Sequence, residues 1–258
     1  MRFKKSGFSA IAVIAALAGC ETTDSGSGSG GASVAQASRP VPTWSIQYEG
    51  KVVPRGKDYH IIDLFDASTA DVARLKAQGT KPIAYFSSQY EDWRLDSKQF
   101  PRSAIGKKLG GWKGENWIDP KSQQVRQIMR KRMDLAKSRG YRGVDCDNVD
   151  FYLAKTGFDN SRAAALDYIR FLKREAHARG LLFGLKNAVL LVPSLKNEVD
   201  FFMNEEAHQY GDVGFYARVR KPVFNVEYKR PRHGTRGIYT IYKSGAVMDA
   251  REEVIRPR

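Results

Sequence analysis

The chain has little cysteine, little histidine and no long apolar run, and each shortage excludes a class of protein. Of its 258 residues only two are cysteines and four are histidines. Two cysteines cannot form the disulfide framework of a small secreted domain, so stability must come from a hydrophobic core. No His-x-x-x-His pair and no Gly-x-Ser-x-Gly motif occur, and no strand leads into a phosphate-binding glycine loop. We therefore predict no metal, no cofactor and no serine nucleophile.

The N-terminus has the pattern of an export signal. Arg2, Lys4 and Lys5 precede an apolar run from Phe8 to Leu17, which is too short to span a bilayer. The run ends in Leu17-Ala18-Gly19-Cys20, which resembles a bacterial lipobox. We predict that residues 1–19 are a signal peptide and that Cys20 is lipidated. This anchors the protein in the cell envelope, on the periplasmic side or at the outer-membrane surface. An ordinary signal peptide followed by an incidental cysteine is the alternative.

The charge balance is strongly basic. The formal net charge is +15, and removal of residues 1–19 takes away three basic and no acidic side chains, which leaves +12. Such a charge favours anionic partners through a long-range attraction that salt screens. Many basic residues, such as Arg126, Arg130 and Arg132, have the spacing of a solvated helix face. We therefore expect that the protein does not bind nucleic acid. We also expect it to be a monomer.

The rest of the chain divides into a linker and one domain. Residues 20–42 are rich in Ser, Gly, Thr and Ala and predict a flexible tether, and residues 43–258 form the domain. Eight short β-branched or aromatic runs alternate with amphipathic ones, which predicts an α/β fold, a single (β/α)₈ TIM barrel. The eight predicted strands are Trp44–Tyr48, Tyr59–Phe65, Pro82–Ser87, Gly143–Asp147, Leu182–Lys186, Phe201–Glu205, Val223–Glu227 and Ile238–Tyr242.

Helices are predicted between several of these strands. The amphipathic segments are Thr69–Gln78, Ser122–Arg139 and Ser161–Arg179, each followed by a glycine at the expected C-cap. The helices after strands five and six and the eighth strand have weaker patterns, so an incomplete or open sheet is the alternative. The stretch from Gln89 to Trp117 is longer than a simple turn and contains Trp93, Trp112 and Trp117. Such indoles either stack on sugar rings or pack the loop onto the barrel.

Polar residues recur where the predicted strands end. In a TIM barrel the active site is built at the C-terminal ends of the strands. Because side chains alternate along a strand, Asp145 and Asp147 share one face and Cys146 points to the other. Glycoside cleavage needs two such carboxyl groups, and strands four and six can supply a pair. The strand-end residues are Asp63, Ser87, Asp145, Asp147, Lys186, Asn187, Asn204, Glu205 and Glu227.

Six ordered motifs resemble glycoside hydrolase family 114 over about Trp44 to Tyr228. They are Tyr85-Phe86-Ser87, Glu91-Asp92-Trp93-Arg94, Gly143 to Asp150, Gly184-Leu185-Lys186-Asn187, Asn204-Glu205-Glu206 and Val223 to Tyr228. The resemblance implies a TIM barrel with endo-α-1,4-polygalactosaminidase activity on a galactosamine-containing polysaccharide. It also implies a retaining mechanism in which Asp147 and Glu205 are catalytic.

We assign Asp147 as the nucleophile and Glu205 as the general acid/base, and an exchange of these roles stays open. The acid must hold a proton near neutral pH, which burial and a neighbouring negative charge favour. Lys186 is expected to favour the ionised form of Asp147. The predicted substrate-binding residues are Asp63, Tyr85, Trp93, Asp145, Asp150, Lys186, Asn187 and Glu227.

Three departures from the family pattern bear on substrate more than on reaction. Cys146 stands where proline is usual, Asp145 where glutamate is common, and Ala207 where a cysteine often follows. A deacetylated galactosamine polymer is cationic, so either the site of this basic chain is locally acidic or the substrate differs. Two other functions stay open. One is a noncatalytic envelope lipoprotein that binds glycan at the same barrel mouth, and the other is a basic protein that binds nucleic acid or a membrane surface.

Overall fold

A computed structural model describes residues 41–110, 113–244 and 252–257. The predicted signal peptide, Cys20 and almost all of the predicted linker lie outside the described residues, as does Trp112. No helix in the described ranges is both long and apolar enough to cross a membrane. The strands are β1 Trp44–Gln47, β2 Tyr59–Asp63, β3 Lys81–Ser87, β4 Tyr90–Glu91, β5 Ile105–Lys108, β6 Glu115–Ile118, β7 Gly143–Asp147, β8 Leu182–Lys186, β9 Phe201–Glu205, β10 Val223–Glu227, β11 Ile238–Lys243 and β12 Glu252–Ile255. The α-helices are α1 Thr69–Ala77, α2 Gln123–Ser138, α3 Arg162–Ala178, α4 Val192–Leu195 and α5 Ala207–Tyr210.

The main sheet confirms the predicted TIM-barrel architecture. Its order is β1-β2-β3-β7-β8-β9-β10-β11-β12, and every neighbouring pair is parallel except the last, β11 with β12. The eight parallel strands are those that the sequence predicts; four have the predicted ends, and the other four differ by one or two residues at one end. Because parallel strands need crossover connections, all eight carboxyl ends meet at one mouth.

Among the described strands, β1 forms no backbone hydrogen-bond ladder with β11 or β12, so the sheet is open there. Side-chain hydrogen bonds bridge this gap. The Trp44 indole N–H donates to the carbonyl oxygen of Tyr239 at 2.7 Å. Glu252 Oε1 accepts from the backbone N–H of Ile46 at 3.1 Å, and Lys243 Nζ donates to the carbonyl oxygen of Ile46. The sheet is therefore a nearly closed barrel. Backbone hydrogen bonds close it everywhere except at this gap, which side chains bridge.

Two long helices cover one side of the barrel and begin at serine caps. Ser122 Oγ accepts from the backbone N–H of Val125 and Ser161 Oγ from that of Ala164, so each satisfies a free amide of the first helical turn. The α-helices in the connections after β8 and β9 are four residues long. Residues 228–237, between β10 and β11, contain no helix. The barrel therefore lacks full-length helices on this side.

The barrel strands bury both faces. The inner face is apolar through most of its height and consists of Trp44, Ile46, Ile61, Ile83, Phe201, Met203, Phe224, Val226 and Ile241. The outer face packs against the helices and includes Phe86, Val144 and Cys146. Cys146 is fully buried there, which confirms that it points away from Asp145 and Asp147.

The long segment after β3 has structure of its own that the sequence did not predict. Strands β4, β6 and β5 form a small antiparallel sheet, in that order. Trp117 is 5% exposed and belongs to the outer core, whereas Trp93 is 49% exposed. These strands are two to four residues long, and runs so short have no resolvable periodicity.

Candidate active site

A buried lysine lies at the centre of the barrel mouth, between carboxylates from two strands. Lys186 Nζ lies 3.7 Å from Asp147 Oδ2, 3.6 Å from Glu205 Oε2 and 4.0 Å from Asp145 Oδ2. The two predicted catalytic carboxylates therefore share one cation. The separation of these two oxygens is at most about 7.3 Å, the sum of 3.7 and 3.6 Å. This upper bound admits the roughly 5 to 5.5 Å between carboxyl groups that is typical of retaining glycosidases, and also the lower end of the inverting range.

Three tyrosines from separate strands surround this lysine. Lys186 Nζ donates to the Tyr48 hydroxyl at 2.8 Å, and the rings of Tyr48 and Tyr85 stack with their centroids 3.8 Å apart. Nζ also lies 5.0 Å from both ring centroids, within cation–π range. We name the following residues the Lys186 cluster: Tyr48, Tyr85, Asp145, Asp147, Lys186, Glu205 and Tyr228.

Asp147 is held from two sides. The Tyr85 hydroxyl donates to its Oδ2 at 2.9 Å, and the backbone N–H of Asn148 donates to its Oδ1 at 2.8 Å. Its side chain is 16% exposed. These hydrogen bonds fix the orientation of the carboxylate, and the exposure leaves it accessible from the mouth.

In the part of the chain that the structure describes, one hydrogen bond reaches the side chain of Glu205. The Tyr228 hydroxyl donates to Oε1 at 2.7 Å, and the side chain is 24% exposed. Burial raises the pKa of Tyr228 well above the ordinary value of a phenol, and the negative charge of Glu205 adds to this effect. Tyr228 therefore stays a hydrogen-bond donor throughout the physiological pH range.

Charge is concentrated where solvent is excluded. Burial by itself lowers the pKa of Lys186, but the carboxylates of Asp147, Glu205 and Asp145 outweigh it, and the pKa is raised well above the ordinary value. Lys186 is therefore a permanent cation. Asp145 is fully buried and neither of its oxygens has a hydrogen-bond partner among the described residues. Burial raises the pKa of Asp145 to about 7, against the opposing effect of Lys186.

The turns after the catalytic strands carry backbone strain. Among the described residues, the four non-glycine residues with positive φ are Asn148, Asn187, Ala188 and Glu206, at 48° to 61°. They follow β7, β8 and β9 directly. The Asn187 amide oxygen accepts from the backbone N–H of Glu205 at 3.0 Å, so this strained residue fixes the end of the neighbouring strand. Strain of this kind gathers where the positions of catalytic groups must be fixed.

Asp63 lies at the end of β2 but takes part in a different network. Its two oxygens accept a bidentate pair of hydrogen bonds from Arg94, at 3.1 and 2.7 Å, and one oxygen also accepts from the backbone N–H groups of Phe65 and Asp66. Arg94 further contacts Glu91 at 3.1 Å. These contacts tie the small sheet to the barrel, and the predicted contact of Asp63 with a sugar stays a prediction.

Glu227 was predicted to bind substrate, but its side chain does not face the barrel mouth. It lies on the outward face of β10, where Oε1 accepts from the backbone N–H of His208 and from the Asn225 amide. It therefore holds the start of α5. The residue of this motif that reaches the Lys186 cluster is its neighbour Tyr228. The sequence did not single out Tyr228, because every residue of β10 is buried and no alternation marks the inward face.

Two acidic side chains lie near the mouth without a direct cationic partner. Burial, together with smaller contributions from the charges of Glu91 and Asp147, raises the pKa of Glu115, on β6, to about 8. Its Oε2 has no hydrogen-bond partner among the described residues. Burial and the charge of Asp147 raise the pKa of Asp150 to about 6. Asp150 was predicted as a site residue, whereas Glu115 was missed because β6 is only four residues long and shows no resolvable periodicity.

The remaining predicted site residues divide by location. Tyr85, Asp145 and Lys186 belong to the Lys186 cluster, and Asn187 acts on it through the backbone. Trp93 stands exposed on the small sheet's connection, and its stacking on sugar stays a prediction. The described residues contain no group of three His, Cys, Asp or Glu side chains arranged to hold a metal ion.

Comparison with known proteins gives the family. The model of glycoside-hydrolase family GH114 matches residues 29–253. The crystal structure of Aspergillus fumigatus Ega3 in complex with galactosamine is 32% identical, covers 87% of this chain and 100% of its own, and superposes with a TM-score of 0.76. The curated proteins include no match to the chain.

Two more distant structures show the fold alone. The glycoside hydrolase domain of PelA from Pseudomonas aeruginosa is 16% identical, with a TM-score of 0.68 over 84% of this chain and 99% of its own. A Paenibacillus cycloisomaltooligosaccharide glucanotransferase is 13% identical, with a TM-score of 0.52 over 75% of this chain and 39% of its own. The extent of the family match and the identity to Ega3, together with the paired carboxylates at the barrel mouth, show that this chain is a glycoside hydrolase and belongs to family GH114.

Proposed function

We propose that the protein is an endo-acting, retaining α-galactosaminidase that cleaves an extracellular galactosamine-containing polysaccharide. The observation that carries this proposal is the shared position of Asp147 and Glu205 on either side of Lys186. The Ega3 structure supports the choice of sugar, since that relative was crystallised with galactosamine.

Local charge supports a cationic substrate. The mouth contains Asp145, Asp147, Asp150 and Glu205, and Lys186 is the cation among them. A protonated amino sugar entering the mouth would therefore be attracted, although the whole chain has a net charge of +15. A locally acidic site would reconcile a basic protein with a basic polymer.

Asp147 suits the nucleophile because both of its oxygens accept hydrogen bonds and Lys186 stands beside it. It attacks the anomeric carbon while Glu205 transfers its proton to the glycosidic oxygen, and the bond from that carbon to the leaving sugar breaks. A covalent glycosyl-enzyme results. Glu205, now ionised, takes a proton from water, which attacks the same carbon and releases Asp147. The hydrogen-bond count supports this division of roles, since within the described ranges Glu205 accepts one hydrogen bond and Asp147 accepts two.

The test is to incubate the full chain with partly deacetylated galactosamine polymer and with neutral and acidic polymers. Released oligosaccharides are identified by mass spectrometry, and their initial anomeric form by NMR. We expect α-anomeric oligomers from the galactosamine polymer only. Asp147→Asn and Glu205→Gln should each abolish release while polymer binding persists. Added azide should yield the α-glycosyl azide with the variant at the acid/base position and the β-glycosyl azide with the variant at the nucleophile, so the anomer distinguishes the two roles.

A noncatalytic glycan-binding lipoprotein is the second candidate function, favoured by the exposed Trp93. It predicts polymer binding with no oligosaccharide released by the unaltered chain. Absence of release across all polymers, with binding intact, would decide for this candidate. Release of β-anomers would instead overturn the retaining mechanism.

We also propose that Cys20 is lipidated and that the protein is a monomer anchored in the cell envelope. The lipobox-like sequence Leu17-Ala18-Gly19-Cys20 supports the anchor. Mass spectrometry of the mature N-terminal peptide tests it, with Cys20→Ser as the control that should release the protein from membranes. Light scattering of the detergent-free Cys20→Ser chain tests the monomer.

A further inference from the structure

The outer edge of the barrel beside β10 is rich in exposed basic side chains. From residue 218 to residue 237 there are seven lysines and arginines and one acidic residue, Glu227, which is buried. The seven are Arg218, Arg220, Lys221, Lys229, Arg230, Arg232 and Arg236, and all are exposed. We name these residues, together with Arg256, the basic edge. It is distinct from the acidic mouth.

A groove on the basic edge is built by two segments that meet. Gly234 pairs with Pro257, and the backbone N–H of Gly234 donates to the carbonyl oxygen of Arg256 at 2.9 Å. A Cβ at position 234 would lie 2.8 Å from the carbonyl oxygen of Ile255, so only glycine permits this approach. The groove has a volume of about 240 Å³ and is lined by Arg230, Pro231, Arg232, His233, Glu253, Val254, Ile255 and Arg256.

Two guanidinium groups of this groove have no partner among the described residues. Glu253 is engaged by Arg230, which binds it through two nitrogens. Arg232 and Arg256 form no ion pair or side-chain hydrogen bond with another residue in the described ranges. A free guanidinium presents planar donors that match a carboxylate in bidentate geometry.

The basic edge begins at the barrel mouth. Lys229 directly follows Tyr228, whose hydroxyl contacts Glu205, and the charge of Lys229 acts on the neighbouring Glu206. From there the chain passes the groove and reaches Ile238 at the opposite end of the barrel. A polymer chain leaving the mouth on this side would meet the basic edge next.

We propose that this groove is a secondary site that binds the carboxylate groups of an acidic polysaccharide, separate from the cleavage centre. The volume suits one sugar ring with its carboxylate, and Arg232 and Arg256, which both line the groove, supply the guanidinium groups that bind it. No Phe, Tyr or Trp lines the groove, so it lacks the stacking platform that single-stranded nucleic acids use. A concave groove with the single exposed apolar side chain of Val254 is also poorly suited to insertion into a membrane surface.

The test measures binding of the full chain to oligogalacturonate by calorimetry, with a neutral glucan, duplex DNA and anionic vesicles for comparison. The variant is the double substitution Arg232→Ala and Arg256→Ala. Loss of two charge-assisted pairs should weaken oligogalacturonate binding by at least about tenfold. A second variant, Arg232→Lys with Arg256→Lys, keeps the charge but loses the planar fork, and should show an intermediate loss.

The matched control is Lys76→Ala with Lys137→Ala. These exposed lysines line another groove, of about 280 Å³, at the amino-terminal ends of β3, β7 and β8. The control removes the same charge and should leave oligogalacturonate affinity within about twofold, as expected if only long-range attraction is lost. Equal weakening by both double variants would overturn the proposal, because diffuse charge would then explain binding. Tighter binding to duplex DNA or to vesicles than to oligogalacturonate, lost in the Arg232 and Arg256 variant, would also overturn it.

The result is independent of the proposed catalytic function. Oligosaccharide release from the galactosamine polymer should be unchanged in the Arg232 and Arg256 variant. If the unaltered chain releases nothing yet binds oligogalacturonate through these arginines, the proposed hydrolysis fails and the secondary site stands.

Discussion

The side-chain amide of Gln89 donates a 2.8 Å hydrogen bond to the carbonyl oxygen of Asn148, the residue directly after Asp147. The amide oxygen of Gln89 also accepts from the backbone N–H of Ile118 on β6, at 2.9 Å. Gln89 is fully buried. It therefore joins the small sheet to the strained turn that orients the proposed nucleophile.

Replacing Gln89 with Leu should lower kcat by about 10- to 100-fold, because small displacements of a reacting group are costly. The KM should change little, since Gln89 does not reach the mouth. Steady-state kinetics on the galactosamine polymer measure both. Gln123→Leu, on the exposed start of α2, is the matched control and should behave as the unaltered chain. A raised KM with an unaltered kcat would contradict a positioning role.

Replacing Lys186 with Met should abolish measurable hydrolysis and destabilise the fold by about 3–5 kcal/mol, because three carboxylates then lose their buried cation. Denaturant unfolding at pH 7 and at pH 5 measures this. The loss should be smaller at pH 5, where Asp145 takes up a proton, since burial holds its pKa at about 7. Tyr48→Phe removes only the acceptor of Lys186 and serves as the milder comparison.

The raised pKa of Glu115 makes a prediction about stability and pH. Burial holds this pKa at about 8 in the folded protein, above the ordinary value of 4.5. Between these values the folded state retains a proton that the unfolded state releases, so stability falls as pH rises from about 4.5 to 8. Glu115→Gln removes this loss. At pH 8 the variant should melt at a higher temperature than the unaltered chain, and at pH 4.5 the two should melt at similar temperatures. Equal melting temperatures of variant and unaltered chain at both pH values would refute the buried, unpaired carboxyl.

The neighbours Tyr228 and Glu227 should differ in the effects of their replacement. Tyr228→Phe removes the hydrogen bond to Glu205 and should lower kcat by about tenfold while the melting temperature is maintained. Glu227→Ala removes the acceptor at the start of α5 and should cost about 1–2 kcal/mol of stability. Kinetics and denaturant unfolding of both variants test the assignment. The reverse pattern would place Glu227, and not Tyr228, at the mouth.

Much of the site was predictable because it depends on local sequence. The alternation of side chains along β7 places Asp145 and Asp147 on one face whatever the rest of the fold. Polar residues at the ends of β7, β8 and β9 then indicate the mouth of a parallel barrel. The small sheet and Glu115 were not predictable, because their strands are too short to show a period and their position depends on contacts with Gln89 and Asn148.

The sequence by itself determined the eight strands, the helix caps and the direction in which each β7 side chain points, because these follow from short-range periodicity and capping. The tertiary structure alone decided that Lys186 lies between Asp147 and Glu205. It also brought together around Lys186 the tyrosines that belong to distant parts of the chain. Finally, it decided that Tyr228 and not Glu227 faces inward. These relationships depend on strand register and on the near closure of the sheet. Both are set by hydrogen bonds between segments far apart in the chain, which no local pattern encodes.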